Sequence, residues 1–334
     1  MNKMKLVINV LTVFFSLTVL AQTKIDRIKV KGNEFVNESG KVVVFRGLNT
    51  SDPDKLKTDG VWGEDYFKEI SNWGATAVRF PVHPQAWRRR GKEEYLKLLD
   101  QGIAWAAKYN MYVIIDWHSI GNLKNQLYLH EMYYTTLPET YAFWKLMAER
   151  YGKNTTVAFY ELFNEPTMYT HKFGTITWEE WKAINEEIIT IVRANGGEGI
   201  PLVAGFNWAY DLTPVKYNPI EAEGIGYVSH PYPMKREQPW EPKWTEDWGY
   251  VKERYPVVLT EIGFCDETAP GAHVPVIGDE TYGDAITDYC DEKNISYFIW
   301  VFDKKWSPQM YVDDKYTPSR QGKYFKKKMK SYKN

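Results

Sequence analysis

Cysteine is scarce in this 334-residue chain: Cys265 and Cys290 are the only two. They can pair in an oxidising compartment, but a sequence does not set the distance between them. Neither C-x-x-C nor H-x-H occurs, which argues against a dedicated metal site, and nothing calls for a cofactor. Charge of either sign is not in excess, with 42 basic and 43 acidic residues. That balance gives no electrostatic reason to bind nucleic acid or anionic membranes. A Gly-rich phosphate loop is missing too: the nearest match, GIGYVS at 224–229, runs into a strand pattern instead of opening a helix. There is no G-x-S-x-G elbow for a serine hydrolase. No linker, repeat or low-complexity stretch divides the chain.

What is present begins with MNKMKLVINVLTVFFSLTVLAQ, which has the layout of a secretory signal. Lys3 and Lys5 precede an apolar run from Leu6 to Leu20, and Val19-Leu20-Ala21 is the expected cleavage site. The run falls short of the ~20 residues a spanning helix needs. The expectation is a signal peptide over 1–21, a secreted or periplasmic location, and one catalytic domain over 22–334, acting as a monomer with no membrane attachment after cleavage. The lysine-rich tail YFKKKMKSYKN reads as the solvated face of a last helix.

After the signal, IKVKGNEFVNESGKVVVFRG predicts a β-hairpin turning at Asn37-Glu38-Ser39-Gly40. Eight apolar runs of strand length follow, at 42–49, 77–83, 112–118, 157–165, 201–207, 225–232, 257–264 and 296–303. Amphipathic stretches such as 92–110 and 177–196 lie between them, the latter with Thr177 as N-cap. Alternating strands and helices imply parallel pairing, and continuous apolarity implies strands covered on both faces. The reading is an α/β fold, a (β/α)8 TIM barrel with a short N-terminal hairpin; a doubly wound sheet is the competitor.

In such a barrel the site lies at the C-terminal strand ends. Those ends carry Asn49, Arg79 with His83, Asp116 with His118, Asn164 with Glu165, Asn207 with Trp208, His230 with Tyr232, Glu261, and Trp300 with Asp303. Polar groups on otherwise apolar strands are costly unless they face a cleft or find partners. Glu165 and Glu261 would face each other across the mouth, and two carboxylates in one cleft suit cleavage of a glycosidic bond. Arg79 is expected to keep Glu261 ionised as the nucleophile; Glu165, less compensated among aromatics, is expected to keep its proton and act as the acid. The Asn164 amide can bind a sugar hydroxyl beside the nucleophile. His83 and Asp116 are expected behind these groups, Trp87, Trp208 and Trp240 divide evenly between stacking on sugar and packing a loop, and Glu161 receives no role.

The segments V-R-F-P-V-H, D-W-H, L-F-N-E-P, H-P-Y and L-T-E-I-G-F, in this order on these strands, resemble glycoside hydrolase family 5, once called cellulase family A. The resemblance covers roughly Val42 to Asp303 and implies a retaining enzyme on a (β/α)8 barrel. By position it makes Glu165 the acid/base and Glu261 the nucleophile, with Arg79, His118, Asn164, His230 and Tyr232 around the cleaved bond. It makes Trp300 the sugar platform, with Trp306 a second candidate. The loop NLKNQLYLHEMYYTT after His118 matches no subgroup. The expectation is a secreted endo-β-1,4-glucanase acting on a polysaccharide or oligosaccharide; the alternatives are an endo-β-mannanase or related β-glycanase and a non-catalytic carbohydrate-binding barrel.

Overall fold

The computed structural model describes residues 25–168 and 172–332. The expected signal segment, 1–21, lies outside the described residues. Among them, no helix is long and apolar enough to cross a membrane.

Eight parallel strands close into a barrel: β1 (Arg46–Thr50), β2 (Ala77–Val82), β3 (Tyr112–Trp117), β4 (Val157–Glu161), β5 (Ile200–Ala204), β6 (Gly226–Val228), β7 (Val257–Ile262) and β8 (Ser296–Phe302). Each overlaps an apolar run read from the sequence, because a strand covered on both faces has no polar side to interrupt it, but β1 begins four residues later than expected and β4, β5 and β6 end three or four residues earlier. Helices Lys92–Lys108, Leu137–Tyr151, Trp178–Ala194, Glu280–Glu292 and Arg320–Ser331 form much of the outer layer. The helix at 178–194 starts as its sequence dictates: Thr177 Oγ1 accepts from the Glu180 N–H, and Glu180 reaches back to the Thr177 N–H. The β5–β6 connection departs from the pattern, with only a four-residue turn, Phe206–Ala209, and a 3-10 turn at Thr213–Lys216.

The N-terminal hairpin pairs Lys29–Lys31 with Glu34–Val36 and turns at Gly32-Asn33, not at Asn37–Gly40. Gly32 supplies the positive φ of 61° that a tight reversal needs. Asn37–Gly40 does reverse the chain, but a single bridge, Val36 to Val42, follows it. The hairpin plugs the lower end of the barrel. Phe35 meets Phe159 edge-on at 5.0 Å, and Phe45 meets Phe159 at 5.3 Å. Phe298 fills the space beside β1, where a Cβ on Gly47 would lie 2.2 Å from its ring.

The upper end has other devices. The pairing register sets Asn49 beside Arg79 and Asp116 beside Glu161, so polar side chains of neighbouring strands share one layer. Register shifts between Leu259 and Ile262, and between Ile299 and Phe302, bracket Glu261 and Trp300. Such irregularities re-aim side chains at barrel rims. β4 stops at Glu161, short of the expected 165. The chain then leaves the barrel, and Glu165–Pro166 pairs with Ile120–Asn122, which itself pairs with Leu127–Tyr128. The loop after His118 therefore opens with a hairpin that holds the Glu165 backbone, whose N–H donates to Ser119 O at 3.0 Å.

Candidate active site

Arg79 is the centre of the upper layer and is fully buried. All five of its N–H donors are used. Nε donates to Glu161 Oε2 at 2.6 Å, and Nη1 to Asn49 Oδ1 and Glu261 Oε1, both at 2.9 Å. Nη2 donates to Glu161 Oε1 at 2.9 Å and Asn164 Oδ1 at 2.6 Å, and lies 3.0 Å from Asp116 Oδ2. Burial opposes the guanidinium charge, but Asp116, Glu161 and Glu261 together push its pKa higher still. A buried cation is tolerable only with such compensation.

Glu261 is clamped at both oxygens: Oε1 by Arg79, and Oε2 by the Tyr232 hydroxyl at 2.8 Å. Arg79 pulls Glu261 towards the ionised form as expected, but against an opposing cost. Burial pushes the Glu261 carboxyl up, against the pull of His230 and Arg79. Arg79 divides its charge among three carboxylates, so its hold on any one is diluted. Glu161, given no role by the sequence, takes two of the Arg79 donors; burial acts to raise it, yet Arg79 and His230 bring it below the ordinary value. Asp116 is the acid that gives way, since burial raises it well above the usual carboxylate range.

His230 joins the layers. Its Nδ1 lies 3.0 Å from Glu165 Oε1 and 3.8 Å from Glu261 Oε2, and its Nε2 lies 2.9 Å from Thr260 Oγ1. Thr260 Oγ1 in turn donates to Glu161 Oε1 at 2.9 Å. Burial would lower the imidazole pKa, but Glu261, Glu161 and Glu165 outweigh it and raise it to about 9. His118 behaves oppositely: burial, His83, Arg79 and His230 all depress it, and it stays neutral with Nδ1 2.6 Å from Asp116 Oδ2.

These groups floor a cleft of about 930 Å³, lined in part by His118, Asn164, Glu165, Tyr232, Glu261 and Trp300. One carboxylate oxygen of Glu165, one of Glu261 and a ring nitrogen of His230 all lie within 4.8 Å of one another. Glu165 keeps 12% of its side chain exposed and Glu261 6%. Trp300 stacks on His118 at 5.3 Å with an interplanar angle of 2°, and on Trp306 at 6.0 Å. Asn164 Nδ2 is buried with no hydrogen-bond partner among the described residues.

All eight residues singled out from the sequence meet here, at two depths. Arg79 and His230 are fully buried, are not among the lining residues, and touch the carboxylates; the other six line the cleft. His83 and Trp306 also line it, as do Trp208, Tyr133 and Lys235. Trp87 and Trp240 pack against other rings away from the opening. Sequence reasoning misses Glu161 as the main partner of Arg79, although a fourth acid on the layer of a buried arginine is a usable signal. Lys235, three residues beyond Tyr232, was passed over. Cys265 and Cys290 are both buried and free.

Comparison with known proteins places these observations in a family. Residues 36–305 match the model described as Cellulase (glycosyl hydrolase family 5). Among solved structures, a β-glucanase from Saccharophagus degradans, determined in complex with cellotetraose, is 43% identical; the match covers 97% of this chain and 98% of that one, with a TM-score of 0.92. Endoglucanase A of Butyrivibrio fibrisolvens is 26% identical over 258 residues, 73% of this chain but 54% of its own length. An endoglucanase of Paenibacillus polymyxa is 24% identical over 81% of this chain and 78% of its own length.

Proposed function

Because the chain belongs to glycoside hydrolase family 5, we propose that it is a retaining endo-β-glucanase, exported by its N-terminal segment and cutting β-1,4-linked glucan by double displacement within one catalytic domain, residues 22–334. The observation that carries this reading is the pair of cleft carboxylates, Glu165 and Glu261, with oxygens within 4.8 Å of one another. Retaining glycosidases hold their two carboxyl groups about 5–5.5 Å apart, whereas inverting ones need about 6.5–9.5 Å to admit a water.

In this reading Glu261 attacks the anomeric carbon. Its two donors, Arg79 and Tyr232, fix the direction of attack and favour the ionised form against the cost of burial. Glu165, the more exposed of the two, gives its proton to the departing glycosidic oxygen. A covalent glycosyl-Glu261 ester results; Glu165, now a base, takes a proton from water, whose oxygen attacks the same carbon and releases Glu261. The Asn164 amide nitrogen, with its oxygen tied to Arg79, is the donor for a sugar hydroxyl beside the nucleophile. Trp300, backed by His118 and Trp306, is the platform under the reacting sugar. Arg79 and His230 act as positioning residues beneath the substrate.

The names of the relatives, a β-glucanase and two endoglucanases, support glucan over mannan. Product chromatography on a panel of β-glucans and β-mannans tests this. The reading expects short cello-oligosaccharides from soluble β-1,4-glucan, and loss of all products in Glu261→Ala. Exclusive cleavage of mannan would move the assignment within the family. Binding of glucan with no hydrolysis before or after the substitution would make the protein a carbohydrate-binding barrel.

A further inference from the structure

We propose that Lys235 is a specificity-determining residue that selects a sugar as the leaving group: its ammonium, held against Trp208, donates hydrogen bonds to oxygen atoms of the departing saccharide. The inference rests on the glucanase reading and extends it to the far wall of the cleft.

The two walls carry different aromatic groups. Trp300, on β8, stacks with His118 and Trp306 on one side. Trp208 follows β5 and Lys235 follows β6, and both line the same cleft as Glu165 and Glu261. If the sugar bonded to Glu261 rests on Trp300, the sugar that departs lies towards Trp208 and Lys235.

Lys235 Nζ stands 5.0 Å from the centre of the Trp208 ring and donates to Asn207 O at 2.8 Å. An ammonium has three donors, and among the described residues Lys235 makes no ion pair. The neighbouring Arg236 occupies the nearby carboxylate, Asp247, at 2.7 Å. Burial lowers the Lys235 pKa to about 8, although Glu165 and Glu261 act to raise it. A half-buried amine without a carboxylate partner is costly for the fold and is explained when a ligand uses it.

The backbone is arranged for the same end. Asn207, Trp208 and Ala209 have φ of 57°, 54° and 56°, three consecutive left-handed residues with side chains. L residues disfavour that conformation, and runs of it persist only where the surroundings impose it. Here Ala209 O accepts from the His230 N–H at 3.0 Å, and Asp211 N–H donates to Phe206 O at 2.9 Å. Gly205 lets the chain pass, since a Cβ there would lie 1.9 Å from Asp211 O. The turn presents the Asn207 carbonyl to the ammonium and the Trp208 ring to the cleft. A flat apolar face beside unused donors is the complement of a pyranose, with its C–H face and its hydroxyls.

The test compares cellotetraose with 4-nitrophenyl β-cellobioside, whose departing group has no sugar hydroxyls. In Lys235→Met, which keeps the side-chain length, kcat/KM on cellotetraose is expected to fall about tenfold or more relative to kcat/KM on the aryl glycoside. Lys235→Gln, with donors retained, is expected to fall between that variant and the wild type, and thermal unfolding checks that both variants fold. Equal losses on the two substrates, no loss on cellotetraose, or a loss that merely follows a displaced alkaline limb would overturn the proposal. Failure of the wild type on both substrates would defeat the glucanase reading itself, and this inference with it, before any variant is made.

Discussion

At the bottom of the barrel Phe35, Phe45 and Phe159 close ring on ring. At the top, where Glu161 stands two residues beyond Phe159 on β4, Arg79 meets Glu161, Glu261 and Asp116, and charge is set against charge. Both ends are dry, and the physics of dryness differs between them. Apolar packing is non-directional and gains with every atom removed from water. Burying charge costs several kcal/mol per ion and is offset only when every donor and acceptor finds a partner. The bottom is a place where side chains fill space; the top is one where each side chain has a stated direction. A barrel can afford such a polar layer because the plugged end and the helix-facing core supply the stability.

Substitutions at the two ends break or sharpen that contrast. The largest effect is expected from Glu261→Ala: kcat on soluble glucan falls by at least about 10⁴-fold, while the thermal midpoint holds or rises, since a buried acid is removed. Phe159→Ala, fully buried at the plug, is expected to do the reverse. Denaturant unfolding should report a loss of about 3–5 kcal/mol, with kcat/KM of the folded fraction intact. Next comes His230→Asn, read as stability against pH. The folded imidazole titrates near 9, above its ordinary value of 6.5, so its protonation stabilises the fold fully below pH 6.5 and ceases to do so as pH rises through 9. That rise corresponds to on the order of 3 kcal/mol. Unfolding curves of the wild type should lose stability across this window, and the variant should lose correspondingly less. An equal pH slope in both proteins would mean that the imidazole is not held as a cation between the acids. The Lys235 variants give the smallest effect, about tenfold in relative specificity.

The two ends also differ in how far the sequence announces them. The eight strand runs were plain because a strand buried on both faces interrupts its apolar pattern only where it stops, and the polar residues at those stops assembled into one site. Local chemistry was ambiguous at the plug: Gly32-Asn33 and Asn37–Gly40 both have turn composition, and pairing with the barrel floor decides between them. It was silent where partners come from distant strands. That β4 ends at Glu161 depends on a hairpin some forty residues earlier drawing Glu165 aside. That Arg79 serves Glu161 and Asp116 as well as Glu261 depends on the register of three strand pairs. Residue types along a strand carry neither fact.

The central claim is that Glu165 and Glu261 act on one anomeric carbon through a covalent intermediate. Proton NMR of the first product released from a cello-oligosaccharide tests it most directly. The account predicts that the β-anomer appears first and the α-anomer only later, by mutarotation; immediate appearance of the α-anomer would contradict it.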